Sequence, residues 1–87
     1  MKILCTYVTA NTQIHTGKCY YIGITGENKT ATLYNIETSG SAAAANVVGY
    51  KHENAAQPPM LPKPGVECSN GLYIVVDGNE AVYWSLG

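Results

Sequence analysis

The chain has 87 residues with five lysines, no arginine, six acidic residues and a net charge of -1, so it lacks the basic field that nucleic acid requires. Its length sets a single domain over residues 1–87 with a thin core, and no apolar run is long enough to cross a bilayer. Charged residues make up 13% of the chain, against about a quarter in ordinary soluble domains, while seven tyrosines and no phenylalanine supply rings that keep a hydroxyl for water or a partner. Enrichment in Tyr at the expense of Lys and Glu marks interface cores, although Tyr also fills strands on propensity alone.

Lys2 to Thr9 reads as a first strand in which Ile3, Cys5 and Tyr7 alternate with Leu4, Thr6 and Val8, so both faces are apolar enough to be covered. Thr9 to Gly17 is a polar, turn-rich link. Lys18 to Thr25 is a second strand, and Gly23 inside it marks a bulge or a close backbone approach. Gly26 to Lys29 is a turn, followed by a third strand, Thr30 to Ile36, with Ala31 and Leu33 toward the core and Thr32 and Tyr34 outward. Glu37 to Ala45 is small and polar, then apolar without bulk, which predicts a loop with one helical turn at most. Asn46 to Lys51 is a fourth strand. His52 to Pro64 carries four prolines that remove donors and hold the chain extended, and Val66 to Cys68 is a short fifth strand.

Gly71 to Gly87 holds two alternating runs around Asp77, Gly78 and Asn79, the local pattern of a β-hairpin over 71–86. Leu72, Ile74 and Val76 share a face with Val82, Trp84 and Leu86 only across an odd loop, so a three-residue loop is expected, with Gly78 or Asn79 in the left-handed region. About seven short strands separated by turns predict an all-β fold, a small antiparallel β-sandwich or flattened barrel.

Little reactive chemistry converges. Cys5, Cys19 and Cys68 cannot all pair internally, none sits in a C-x-x-C spacing, and buried reduced thiols on strands are expected. His15 in the polar link and His52 at a strand end are expected to be solvated, and Asp77 serves the turn. No spacing assembles a nucleophile, base and orienting group, and no short ligand pair nucleates a metal site, so neither an enzyme nor a cofactor is expected. A start too short in apolar residues for a signal peptide predicts a cytoplasmic site of synthesis, where the Asn28 sequon is without consequence. A glycan-binding alternative would use Tyr73 and Tyr83 as stacking platforms, with Trp84 in the core.

The order of Thr16 to Thr25, Thr30 to Ile36, a small-residue loop through Ser39 to Ala42, Met60 to Gly65, Asn70 to Gly78 and Ala81 to Trp84 resembles small tailed-phage virion β-sandwich proteins of the capsid decoration or cement type. That resemblance implies a virion protein made in the host cytoplasm and seated on the capsid surface, a homotrimer that contacts the major capsid protein, with no nucleic-acid or membrane partner. A neck, collar or tail component of the same fold is the alternative. Residues 1–16 depart from the pattern, as an extra strand or as an arm onto a neighbour. For contact residues the sequence offers Met60, Leu61 and Pro62, an apolar projection pre-ordered by prolines, together with Tyr50 and Tyr34. Met60 and Leu61 plugging the end of the sandwich is the competing reading.

Overall fold

Among the described residues eight segments become strands: β1 (Ile3–Val8), β2 (Thr12–Thr16), β3 (Cys19–Gly26), β4 (Ala31–Tyr34), β5 (Val47–Lys51), β6 (Val66–Cys68), β7 (Gly71–Val76) and β8 (Glu80–Ser85). The computed structural model describes residues 2–27, 29–37, 44–51 and 65–87. One antiparallel sheet, A, has the order β1-β8-β3-β6, and a second, B, has the order β2-β7-β4-β5. Every connection except β4 to β5 passes from one sheet to the other. The pairs β1–β8, β2–β7, β3–β6 and β4–β5 are those of one long antiparallel ribbon rolled on itself, which is the jelly-roll arrangement.

The core lies between the sheets. Sheet A contributes Val8, Cys19, Tyr21, Ile24, Cys68, Val82 and Trp84, and sheet B contributes Ala31, Leu33, Leu72 and Ile74. Ile24, Leu33, Leu72 and Ile74 have no exposed surface, and each stabilises the fold by roughly 1.5–3 kcal/mol through burial. Gly49 of β5 leaves room for Tyr21, whose ring crosses from β3: a Cβ on Gly49 would stand 2.6 Å from that ring. Trp84 keeps its polar handle satisfied by donating Nε1–H to Thr6 Oγ1 at 3.0 Å, and the His15 ring lies 5.1 Å from it.

All-β sandwich architecture is as expected, with eight strands among the described residues in place of about seven. The additional strand is β2, inside the link expected to be structureless. Its pairing with β7 shifts register between Gln13 and His15. The Gln13 amide fills the irregularity, its Nε2 donating to the carbonyls of His15 (2.9 Å), Ile36 (2.9 Å) and Leu72 (3.2 Å). Gly71 is required beside this knot, because at φ +150° a Cβ would lie 2.7 Å from both the His15 and the Ile36 carbonyl oxygens. His15 is therefore half-buried against Trp84 and not solvated.

The terminal hairpin is not formed. β7 belongs to sheet B and β8 to sheet A, so Asp77 to Asn79 is an arch between sheets. An arch and a hairpin share the same local sequence: Leu72 and Ile74 face Val82 and Trp84 across the sandwich instead of standing beside them in one sheet. Leu86, expected on that apolar face, is exposed. Gly78 is not in the left-handed region; it is needed for closeness, since a Cβ there would meet Lys29 Cγ at 2.6 Å and Glu27 Oε1 at 2.7 Å. In β3 the register shifts between Tyr21 and Gly23, placing the expected bulge at Ile22. A 3-10 turn occupies Ala44–Asn46.

Candidate functional site

Strand alternation turns half of each strand outward, and the outward positions carry almost no charge. On sheet A, Ile3, Cys5 and Tyr7 of β1 stand beside Ser85, Tyr83 and Ala81 of β8, which stand beside Tyr20, Gly23 and Thr25 of β3. Tyr7 is 65% exposed, and Ile3 and Cys5 are also open to solvent, so the outer face of β1 is uncovered where the sequence predicted cover. On sheet B, Tyr73 lies between Gln13 and Tyr34, and Thr32 lies between Val75 and Tyr50. The Tyr34 and Tyr73 rings are 6.4 Å apart, while Tyr50 is 46% exposed. Among the described residues, the one charged side chain at an outward strand position is Glu67, which meets exposed Lys18 at 3.9 Å, a pair of little energetic weight.

Among the described residues, buried charge is confined to one end of the sandwich. Lys51 of β5 and Glu80 of β8 are both buried and meet at 3.4 Å between the sheets. Lys51 Nζ also donates to the carbonyls of Lys29 (2.7 Å) and Glu27. Glu27 Oε1 accepts the Asn79 N–H at 2.7 Å, and the Glu27 N–H donates to the Asn79 carbonyl at 3.0 Å, which ties the β3–β4 turn to the β7–β8 arch. Burial pushes the Glu80 carboxyl above the usual carboxylate range, with the charge of Glu27 adding to the rise and Lys51 opposing it. Its second oxygen, Oε1, has no hydrogen-bond partner.

The other end is tied by neutral groups at or near the surface. The Asn70 N–H donates to Asn35 Oδ1 (2.9 Å), the Gly17 N–H to the Asn70 carbonyl (2.9 Å) and the Asn35 N–H to the Asn46 carbonyl (2.7 Å). Cys19 and Cys68 lie directly opposite each other on β3 and β6, both fully buried. As a thiol, Cys68 points toward the Val66 carbonyl at 3.6 Å; as a thiolate it accepts from the Cys19 thiol and the Tyr21 backbone N–H. Cys68 is therefore the first of the pair to lose its proton, and Cys19 is held well above its ordinary value by that contact and by burial. Cys5, expected to be buried, is exposed.

Of the residues offered as contacts, Tyr34 and Tyr50 share the outer face of sheet B. Met60, Leu61, Pro62 and His52 lie outside the described residues, as do Asn28 and residues 38–43. The proposed glycan platforms do not form one strip: Tyr73 is nearly buried on sheet B and Tyr83 is on sheet A. Among the described residues no three His, Cys, Asp or Glu side chains are grouped to hold a metal ion, and no pocket opens. The face around Tyr7 was missed, although its alternation with Leu4, Thr6 and Val8 is plain, because both sides of β1 look apolar enough to be inside. No protein-family model, curated protein or solved structure matches the chain.

Proposed function

We propose that the chain acts by contact, as a structural protein of a tailed-phage virion that decorates or cements the capsid by binding copies of itself, as a trimer, and the major capsid protein. The observation that carries this reading is the chemistry of the two outer sheet faces, where tyrosines and small residues stand in place of charge. Such a surface costs little to desolvate, since each tyrosine removes a ring from water and keeps a hydroxyl for a partner group. The jelly-roll topology is compatible with the reading and selects no function by itself. The resemblance of the ordered segments to decoration proteins supplies the particular assembly.

Mass spectrometry and cryo-electron microscopy of purified virions test the proposal. It expects the polypeptide at hundreds of copies per particle; about a dozen copies would instead mark a neck or tail component, and absence from the particle would overturn both. Light scattering behind size-exclusion chromatography is expected to give a trimer. Tyr7→Lys and Tyr50→Lys, placed on opposite faces, then separate self-association from coat binding.

A further inference from the structure

We propose that Cys19 and Cys68 are a built disulfide site, which closes when the protein meets a disulfide oxidant and locks the edge strand β6 onto the sheet. The two residues are register partners in an antiparallel pair, with both side chains turned into the core. Directly opposed residues in such a pair have Cα atoms about 4.5–5.5 Å apart, inside the range of about 4.4–6.8 Å that a disulfide spans. The register therefore places the pair at a separation that a disulfide spans. Cys5 is excluded as a partner, because it lies on β1 at the far edge of the same sheet and on its outer face.

The chemistry balances with a small-molecule disulfide such as oxidised glutathione. Cys68, as thiolate, attacks one glutathione sulfur and expels the other as glutathione thiolate, leaving a mixed disulfide. Cys19 then gives up its proton and attacks the Cys68 sulfur, expelling the second glutathione. Two protein thiols and one disulfide become one protein disulfide and two glutathione thiols, with two electrons passed to glutathione. Access comes from β6 itself, which has three residues and a single neighbouring strand, so it opens locally while the centre of the sheet stays closed. The bond then encloses a loop of about 50 residues, long enough for a large entropic effect on the unfolded chain.

The test equilibrates the reduced, folded chain in glutathione buffers of increasing oxidation, followed by denaturing alkylation, mass spectrometry and thermal unfolding. Expected are a fall from three alkylated thiols to one, on Cys5, and a non-reduced digest in which the Cys19 peptide is joined to the Cys68 peptide. The oxidised form should melt on the order of 10 °C higher than the reduced form. Cys5→Ser should keep the Cys19–Cys68 peptide linkage and the melting shift, with alkylated thiols falling from two to none, whereas Cys19→Ser and Cys68→Ser should abolish the linkage and the shift. Because those two core variants can lose stability for other reasons, the peptide linkage in the unaltered chain decides. Three alkylated thiols throughout, a glutathione adduct on Cys19 or Cys68 that never resolves, or a bridge through Cys5 would overturn the proposal.

Discussion

At one end of the sandwich a lysine and a glutamate meet out of reach of water, whereas the other end is tied by asparagine amides and a pair of thiols. The difference lies in what each end tolerates. A buried ion pair is a poor source of net stability, because the attraction between its members must first offset their desolvation, but removing one partner leaves a bare charge in the core. Any packing of sheet A on sheet B that separates Lys51 from Glu80 meets that penalty. The charged end thus selects one alignment of the sheets, and the neutral end holds that alignment with bonds whose individual loss costs about 1 kcal/mol.

The most severe way to break the contrast is Lys51→Met, which strands Glu80 and should cost about 3–5 kcal/mol in urea unfolding. A loss below 1 kcal/mol would mean that the pair aligns nothing. Between the two ends, Tyr21 acts as an internal reference, since burial pushes its hydroxyl up to about 12 from an ordinary value of 10.0. The folded state favours the neutral phenol, so this stabilisation is complete below pH 10 and is lost as pH rises toward 12. About 2–3 kcal/mol should disappear over that window, and Tyr21→Phe should remove the loss.

At the neutral end, Gly71→Ala forces a Cβ against the His15 and Ile36 carbonyls and should cost about 2 kcal/mol. Equal unfolding midpoints for the variant and the parent would show that the Gln13 knot relaxes freely. The smallest expected effect sharpens the charged end. Glu80 is held above the ordinary carboxylate value of 4.5, so the folded state binds its proton more tightly than the unfolded state. Its contribution is full below pH 4.5 and declines as pH rises through the raised value. Glu80→Gln should flatten that part of the stability profile, read from thermal midpoints across mildly acidic pH.

Seven of the eight strands were legible as alternation, because Ile, Val, Tyr and Leu recur at every second position in them. β2 was not, since Thr12, Gln13, His15 and Thr16 look like a solvated link until Ile14 and His15 are set against the core. Pairing was hidden for a different reason: local sequence specifies which side chains go inside, and an arch and a hairpin place the same side chains inside. The same blindness covers the buried groups, because Cys19 and Cys68 become partners, and Lys51 and Glu80 become an ion pair, only once distant strands are aligned. Tyr34 was readable as outward-facing from parity, and Tyr50 was offered only as a contact residue. Their meeting on one face with Tyr73 depends on the order of strands in sheet B.

β8 occupies the middle of sheet A, between β1 and β3, although it follows both of them in the chain. Before β8 is made, nothing links β1 to β3 within sheet A, and Val82 and Trp84 are missing from the core that Val8, Tyr21 and Ile24 share. Sheet A therefore cannot be completed until Glu80 to Ser85 has left the exit tunnel, and its central strand slots between two edges made earlier.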